Sequence, residues 1–380
     1  MCLERLLSPN DHNRHDVGNS HSWGAIMTKT AYAVAAFVLA AVGTATVPTA
    51  QAAPCLIVTL TGVQGGPPAF RGQAGPGTLV RYGDDANNCG AVKLQFDAGR
   101  GTNMRLSQVG IPPSQLKAIF FTHMHSDHAD GFADIVQLRW HFSSKGPKLD
   151  VVCSADARSP LGFTISCKKF VAHIADAYLR SGEIAQRYSE NKDRLPGGPA
   201  DLINVVTFEP KNEPQVVWSS GDVRVSAIRS AHIPGHASYR VDTPAGSVVI
   251  GGDAGNDIPA PPRATSTSDQ VEKLAMGVDI IVHSTLHPVL GPDRGSGMPP
   301  LIFYRQSGTT DLGLMAKRAG AKHLMLTHLG PPVGAERVGP WKILGGPLTE
   351  TDYRKAVEAS GFTGNIVVGT DLASIRLPAK

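Results

Sequence analysis

Short apolar runs of strand length alternate with polar turns along most of the chain. The first runs, CLIVTL at residues 55–60, TLVRYG at 78–83 and VKLQFDAG at 92–99, follow one another with no helical pattern between them. Later runs, such as LDVVCS at 149–154 and DIIVHST at 279–285, alternate with segments of helical spacing. Strands that come first and then alternate with helices predict an α/β fold.

Three segments carry the helical pattern most clearly. One follows Gly131, where GFADIVQLRW places apolar residues at helical spacing. A second runs from residue 170 to about 191 and ends at the Pro and Gly breakers of DRLPGGPADL, and a third covers about residues 350–360. The alternation predicts two sheets between outer helices, and two similarly built halves fit it.

The N-terminal region carries the pattern of a secretory signal peptide. Residues 27–52 have a basic start at Lys29, an apolar stretch and the small-residue ending Ala50-Gln51-Ala52. The apolar stretch is shorter than the roughly 20 residues that cross a bilayer. We therefore expect residues 1–26 to be a start-site artefact or a disordered extension, 27–52 a signal peptide, and 53–380 a single domain.

Composition narrows the range of partners. The 380 residues are 42% hydrophobic, enough for a sizeable core, and carry a formal net charge of +4. No run of basic residues is interleaved with aromatic residues, which makes nucleic acid an unlikely partner. We expect a periplasmic or secreted protein without a stable membrane anchor; a homodimer is left open.

The expected export makes disulfide bonds between the cysteines plausible. Cys55, Cys89, Cys153 and Cys167 are an even set in a chain expected in an oxidising compartment. Nearness in sequence slightly favours the pairs Cys55–Cys89 and Cys153–Cys167. Connectivity does not follow from sequence, and free buried thiols remain the alternative.

A cluster of histidines follows one of the predicted strands. FFTHMHSDHADG, residues 120–131, places His123, His125, Asp127 and His128 between an apolar strand-like run and a helical segment. Neutral imidazole and carboxylate are the side chains that bind zinc and similar divalent ions. This strand-to-helix turn is therefore a predicted metal site.

Further histidines and carboxylates follow other apolar strands. His232 follows VRVSAIRSA, Asp253 follows SVVIGG, His283 follows DIIV, and His328 follows LMLT. Together with the turn at His123, five strands deliver such a residue at their C-terminal ends. We expect all of these residues to lie at one pole of the sheets.

These motifs resemble the metallo-β-lactamase fold superfamily of αββα hydrolases, and most closely the branch of ribonuclease Z and the zinc arylsulfatases. HIPGHASYR resembles a ligand histidine seven residues before Tyr-Arg, which marks His232 rather than His236. VDIIVHST resembles the strand end that supplies an extra imidazole, here His283, and LQFDAGRGT resembles the N-terminal signature. The resemblance implies the metallo-β-lactamase-like fold, with two mixed sheets between outer helices.

The resemblance also implies a ligand set for two divalent metal ions, with zinc as the expected metal. His123, His125 and His232 would hold one ion and Asp127, His128 and His328 the other, and Asp253 would bridge both. The ion pair would bring the pKa of a bridging water towards neutrality and so provide a hydroxide nucleophile. Asp127 would accept a hydrogen bond from that hydroxide, and His283 would act as a catalytic acid or base.

The expected function is an exported dinuclear-metal hydrolase that uses a metal-bridged hydroxide to cleave a small ester, with an aryl sulfate as the lead candidate. The alternatives are a phosphodiesterase similar to ribonuclease Z and a lactonase of the same superfamily. True β-lactamases of the superfamily usually carry a cysteine where Asp253 stands, which disfavours antibiotic hydrolysis.

Overall fold

Two seven-stranded sheets lie face to face in the computed structural model, which describes residues 52–378. The predicted extension at 1–26 and the predicted signal peptide lie outside the described residues, apart from Ala52. Within residues 52–378, no helix combines the length and the apolar character needed to cross a membrane.

The first sheet, here called the N-terminal sheet, has the strand order β18-β1-β2-β3-β4-β5-β8. Its first four strands pair antiparallel, and β3, β4, β5 and β8 pair parallel. The strands are β1 (Pro54–Gly62), β2 (Gly77–Asp84), β3 (Val92–Phe96), β4 (Ala118–Phe120), β5 (Leu149–Ser154), β8 (Ile203–Phe208) and β18 (Ser374–Leu377).

The C-terminal sheet repeats this plan, with the order β17-β14-β13-β12-β11-β10-β9. Strands β9 to β12 pair antiparallel, and β12, β13, β14 and β17 pair parallel. Its strands are β9 (Gln215–Ser220), β10 (Val223–Arg229), β11 (Ala237–Thr243), β12 (Gly246–Ile250), β13 (Ile280–Leu286), β14 (His323–Gly330) and β17 (Asn365–Val368). Two short hairpins pair β6 (Ala157–Arg158) with β7 (Thr164–Ile165), and β15 (Arg337–Val338) with β16 (Trp341–Lys342).

Helices cover the outer faces of both sheets. The helices are α1 (Thr102–Gln108), α2 (Ser126–Ala129), α3 (Phe132–Ser143), α4 (Cys167–Arg180), α5 (Glu183–Glu190), α6 (Asp269–Ala275), α7 (Pro300–Tyr304), α8 (Thr309–Ala319) and α9 (Glu350–Glu358). Residues of α1, α3 and α4 pack on the N-terminal sheet, and residues of α6, α8 and α9 pack on the C-terminal sheet. The predicted αββα sandwich of two mixed sheets is confirmed.

The main core lies between the sheets, where both contribute apolar side chains. Phe96 and Phe120 stack with ring centroids 4.6 Å apart, and the Tyr239 ring of the opposite sheet packs against both. The buried Tyr239 hydroxyl donates to the carbonyl oxygen of Phe121, at 2.8 Å. This bond ties β11 to the segment that leads into the histidine turn, so the core helps to fix the position of that turn.

Several predicted elements differ in detail from the structure. The long helix expected from residue 170 to about 191 is two helices, α4 and α5, separated by a turn at residues 181–182. His283 and His328 lie inside strands β13 and β14 rather than after them. His123, His232 and Asp253 do follow the ends of their strands, as predicted.

Both favoured cysteine pairings are confirmed. Cys55 at the start of β1 is bonded to Cys89, and Cys153 at the end of β5 is bonded to Cys167 at the start of α4. All four residues are buried. The first bond joins β1 to the turn after β2, and the second joins the N-terminal sheet to a helix on its outer face.

Candidate metal centre

The histidine turn is held by a carboxylate that the sequence did not mark as a site residue. Asp97, just after β3, accepts hydrogen bonds from the Thr122 backbone N–H at 2.7 Å and from the Thr122 hydroxyl at 2.8 Å. The same carboxylate lies 2.8 Å from Nδ1 of His128. An imidazole that donates Nδ1–H to a carboxylate presents Nε2 as a metal ligand, so Asp97 fixes both the tautomer and the direction of His128.

Three histidines form the first group of the site. His123, His125 and His232 each offer a ring nitrogen, and these nitrogens lie within 4.8 Å of one another. Nδ1 of His125 is 2.9 Å from Nε2 of His123 and 3.4 Å from Nε2 of His232. These three are the residues that the family resemblance assigned to one ion.

The second group consists of Asp127, His128 and His328, whose ligand atoms also lie within 4.8 Å of one another. Nε2 of His328 is 3.2 Å from Oδ2 of Asp127. This group too matches the set that the resemblance assigned to a second ion.

Asp253 lies between the two groups. Its Oδ1 is 3.5 Å from Nε2 of His128, and its Oδ2 is 3.1 Å from Nε2 of His328 and 3.7 Å from Nε2 of His232. All seven predicted ligands are therefore brought together, and Asp253 lies within reach of both groups. That each of them binds a metal stays a prediction.

The donor set fits divalent cations on its own chemistry. His128 Nε2 and Asp253 Oδ1 are buried and have no hydrogen-bond partner among residues 52–378. Buried polar atoms are ordinarily paired, and buried carboxylates are ordinarily neutralised by cations. Nitrogen and oxygen atoms that converge without protein partners are satisfied by a bound ion. The clusters thus indicate divalent metal binding.

The pKa values of the site residues also favour the binding of a cation. Burial lowers the pKa of His232 to about 3 and lowers that of His123 well below its usual value, so both rings are neutral at ordinary pH, the form in which imidazole can bind a metal. Burial acts to raise the pKa of Asp127, but the hydrogen bond and charge of His328 and the charge of His128 outweigh it and bring the pKa to about 2. The site therefore holds an ionised carboxylate that attracts positive charge.

The Gly/Pro loop at residues 62–77 closes one side of the site. A Cβ atom on Gly65 would lie 2.6 Å from Nδ1 of His328, so only glycine allows this approach. The Gly66 backbone N–H donates to Oδ2 of Asp127, at 3.1 Å. His328 itself has a φ of +45°, a left-handed conformation that is costly for a non-glycine residue and is found at functional sites.

A cleft of about 450 Å³ opens onto both ligand groups. The loop at residues 65–68 and five of the predicted ligands are among the lining residues. The lining also contains five apolar or aromatic side chains and two polar ones: Leu286, Met298, Ile302, Val338, Trp341, Arg305 and Gln306. Clefts of this size and character hold small molecules.

His283 does not lie where the sequence predicted. Its exposed fraction is 0%, and it is absent from the residues that line the cleft. Its Nδ1 donates to the carbonyl oxygen of Ser284 at 2.7 Å, and its ring packs beneath residue 251. Every residue of β13 is buried, so this side chain does not line the cleft, and its role as an acid or base stays a prediction.

Other residues at the site were not predicted. The amide of Gln306 donates to Oδ2 of Asp253, at 3.3 Å, and Arg305 places its side chain in the cleft. Asp97 had a usable signal, because FDAG at residues 96–99 repeats the pattern of GDAG at 252–255, where a strand is followed by an aspartate and a turn. Arg305 and Gln306 lie in an irregular segment and Trp341 lies in the short hairpin strand β16, and neither place has such a pattern.

Comparison with known proteins gives matches across most of the chain. The family model described as "Anti-Pycsar protein Apyc1" matches residues 87–285. Ribonuclease Z of Mycobacterium bovis (strain BCG / Pasteur 1173P2) is 26% identical over 328 residues, which cover 85% of this chain and 98% of that protein.

Solved structures share the fold. The metallo-beta-lactamase fold protein YhfI from Bacillus subtilis superposes with a TM-score of 0.54 at 17% identity, over 85% of this chain and 99% of that one. The short form of human tRNase Z (ELAC1) superposes with a TM-score of 0.53 at 17% identity, over 85% and 100% of the two chains. At these identities the likeness establishes the architecture alone.

Proposed function

The chain belongs to the Anti-Pycsar protein Apyc1 family and is a metallo-β-lactamase-fold hydrolase close to the ribonuclease Z branch, and on that basis we propose that it cleaves a phosphodiester bond in a small substrate. The curated relatives are named ribonuclease Z, and a ribonuclease cleaves a phosphodiester. They favour the phosphodiesterase alternative over the aryl sulfate that led the expectations from sequence.

The observation that carries the proposal is a cation in the cleft beside the metal centre. Arg305 is the one arginine or lysine among the described residues that line the cleft, and its Nε is buried without a hydrogen-bond partner in residues 52–378. A guanidinium presents a planar fork of donors that matches phosphate oxygens. A phosphodiester carries one negative charge, which this single cation and the metal centre can meet together.

The walls of the cleft favour a small substrate over a polynucleotide. A long RNA needs several lysines and arginines that follow its phosphates, and the described lining offers only Arg305. Met298, Ile302, Val338 and Trp341 instead offer apolar and aromatic surface for an organic substituent. We therefore place a compact phosphodiester ahead of RNA as the substrate.

Different residues have different roles in the proposed reaction. We propose zinc as the resident metal, with two ions per chain. His123, His125 and His232 would hold one ion, Asp127, His128 and His328 would hold the other, and Asp253 would be available to both. Such ions, when bound, supply Lewis acidity and lower the pKa of a water.

Asp127 has an ionised carboxylate at the cleft, so it can accept a hydrogen bond from the attacking water and orient it. Arg305 would hold a non-bridging phosphate oxygen, and the Trp341 side of the cleft would exclude water from the organic group.

The first test is a substrate panel with purified, zinc-loaded protein. We expect bis(4-nitrophenyl) phosphate to be cleaved roughly 100-fold faster, in kcat/KM, than 4-nitrophenyl sulfate. The phosphodiester has a second aromatic ring to bury, and full burial of such a group contributes about 1.5–3 kcal/mol. Release of 4-nitrophenol is followed by absorbance, with and without chelator.

The same panel contains a lactone and a single-stranded RNA oligonucleotide. A faster reaction with the aryl sulfate or the lactone than with any phosphodiester would refute the proposal. Cleavage of the RNA in preference to the small diesters would retain the phosphodiesterase chemistry and replace the small substrate by RNA, as the names of the relatives suggest.

Arg305→Met provides a second test. We expect kcat/KM for the phosphodiester to fall by roughly 10- to 100-fold, because a hydrogen bond to a charged group contributes about 1.5–3 kcal/mol. Hydrolysis of a neutral aryl acetate should change little, since that substrate has no anionic oxygen. The backbone carbonyl of Arg305, which lies 3.4 Å from Nδ1 of His232, remains in the variant.

Arg337→Met is the matched control, because Arg337 is an exposed arginine on the neighbouring hairpin and is not among the cleft residues. Equal losses in both variants, or an equal loss of the acetate activity in Arg305→Met, would contradict a direct contact between Arg305 and the phosphate.

We propose a periplasmic or secreted location for the mature chain. The signal-peptide pattern at residues 27–52 supports it, and so do the two disulfides, which persist in oxidising compartments. Fractionation of the native host, probed with an antibody to the mature chain, tests this location.

A further inference from the structure

A closed chain of hydrogen bonds surrounds the turn that carries Asp253. The backbone N–H of Asp253 donates to Nε2 of His236, at 3.2 Å, and Nδ1 of His236 lies 2.8 Å from the hydroxyl oxygen of Ser230. The hydroxyls of Ser230 and Ser238 are 2.8 Å apart, and the Ser238 hydroxyl donates to the carbonyl oxygen of Gly251, also at 2.8 Å. This hydrogen-bond chain thus starts at the backbone N–H of Asp253 and ends at the backbone carbonyl of Gly251, in the same turn.

The proton positions in this chain follow from its two ends. The carbonyl of Gly251 can only accept, so the single proton of the Ser238 hydroxyl points to it. Ser238 must then accept from the Ser230 hydroxyl, and Ser230 must accept from His236, which places a proton on Nδ1. At the other end, the Asp253 N–H can only donate, so Nε2 of His236 carries a lone pair. Both ends require the same neutral tautomer.

We propose that His236 is a positioning residue, which in its neutral Nδ1–H form fixes the backbone of Asp253 and thereby the carboxylate between the two metal-ligand groups. Its role depends on metal binding at the centre but not on the identity of the substrate. The family resemblance left His236 without a role, and the structure assigns it one that acts through Asp253.

The position of His236 supports this role over direct ligation. The ring has 1% exposure and both of its nitrogens are engaged, whereas the ligand groups of the site do not include it. Residue 252 is a glycine with a φ of +60°, and a Cβ there would lie 2.9 Å from Nε2 of His236. The turn is therefore shaped to bring the ring against the Asp253 backbone.

One short segment carries both a predicted metal ligand and the side chains of the hydrogen-bond chain. SAHIPGHAS, residues 230–238, carries the ligand candidate His232 and the three members of the hydrogen-bond chain, Ser230, His236 and Ser238. His232 and Asp253 follow the ends of two different strands, β10 and β12, and the hydrogen bonds of the sheet hold the backbone only as far as those ends. The hydrogen-bond chain links the segments beyond those ends, so the spacing of the two ligands becomes defined.

The test compares zinc affinity in full-length variants by competition with a chromogenic chelator. His236→Leu removes both hydrogen bonds and should weaken zinc binding by roughly 10- to 100-fold, the usual cost of losing a residue that orients a ligand. His236→Gln keeps an acceptor for Asp253 and a donor for Ser230 and should stay close to the wild type. Ser238→Ala, which breaks the chain at its far end, should give a smaller loss than His236→Leu.

His173→Leu is the matched control, because His173 is exposed on α4, and its zinc affinity should equal that of the wild type. Unchanged affinity in His236→Leu would overturn the proposal. Loss of an ion from His236→Gln, as expected for a ligand variant such as His232→Gln, would overturn it in favour of ligation by His236.

A readout that does not use a variant keeps the proposal testable if His236→Leu fails to fold. Long-range proton–nitrogen NMR spectra of the ¹⁵N-labelled wild-type holoprotein report the tautomer of each imidazole, and His236→Gln identifies the signals of His236. A neutral ring protonated on Nδ1 is expected. A ring protonated on Nε2, or on both nitrogens, would contradict the hydrogen-bond chain and with it the proposed role.

Discussion

Replacing Asp253 by alanine is expected to lower both the metal content and the rate of hydrolysis, the rate by about 10³-fold. The carboxylate lies within 3.7 Å of nitrogens from both ligand groups, so its loss removes an anion that both ions would share. Metal ions supply several kcal/mol of charge stabilisation in the transition state, and about 4 kcal/mol corresponds to a thousandfold in rate. Elemental analysis and kcat/KM on the phosphodiester measure the two effects.

Two further variants show whether the loss of metal and activity in Asp253→Ala comes from the missing charge. Asp253→Asn keeps the shape of the side chain but not its charge, and we expect it to resemble the alanine variant, since a neutral amide is a poor bridge between cations. Asp293→Ala is the control, because Asp293 is exposed and stands outside the ligand groups. Two ions per chain and full activity in Asp253→Ala would contradict the bridging role.

The wild type sets the reference for this prediction. Seven converging ligands are more than one tetrahedral ion uses, so we expect two ions per chain after reconstitution with zinc. A chelator should abolish activity and zinc should restore it. A single ion in the fully active wild type would replace the dinuclear arrangement by a mononuclear one and leave Asp253 as an ordinary ligand.

That the predicted ligands converge could be foreseen from sequence because most of them follow strand ends, whereas their division between two ions came from the family resemblance. Apolar strands that stop before a histidine or aspartate are visible in one dimension, and parallel strands bring such ends to one edge of a sheet. The same rule was less accurate for His283 and His328, because β13 continues to Leu286 and β14 to Gly330, so both histidines lie within their strands. His328 still reaches the predicted ligand groups, whereas His283 does not line the cleft.

The walls of the cleft could not be predicted in the same way. Arg305 and Trp341 come from irregular segments and a short hairpin, whose course depends on packing around a separate apolar cluster that includes Leu290 and Ile343. Such segments follow no hydrophobic period. The hydrogen-bond chain at His236 was equally hidden, because the sequence shows two histidines and two serines but not which backbone groups they meet.

Some strands were also missed for a physical reason. INVVTF at β8 and QVVWSS at β9 lie at edges of their sheets, where only some side chains are covered. The fully buried strands in the middle of the sheets give longer apolar runs and were found. The formation of an edge strand depends on its pairing with a neighbouring strand, and a short stretch of sequence does not contain that neighbour.

Removing the Cys55–Cys89 disulfide is expected to reduce the free energy of unfolding by about 4 kcal/mol. The bond closes a chain segment with a sequence separation of 34, and the loop-entropy relation assigns a loss of about this size to such a segment. For Cys153–Cys167, with a separation of 14, the same relation predicts about 3 kcal/mol. Urea unfolding of the Cys55→Ala/Cys89→Ala and Cys153→Ala/Cys167→Ala variants measures both losses.

Removing the Cys55–Cys89 disulfide should change the free energy of unfolding without changing the metal centre. These cysteines pack with Ile57 in a small cluster of their own, whereas Cys153 and Cys167 belong to the cluster that holds the histidine turn through Phe121 and Met124. The Cys55→Ala/Cys89→Ala variant should therefore unfold at lower urea while its zinc affinity is unchanged. A reductant that opens both disulfides should lower the unfolding midpoint of the wild type to below that of this variant, because the Cys153–Cys167 bond is lost as well. Coincident unfolding curves for the oxidised wild type and the variant would show that the bond adds no stability, and would remove one of the supports for an oxidising compartment.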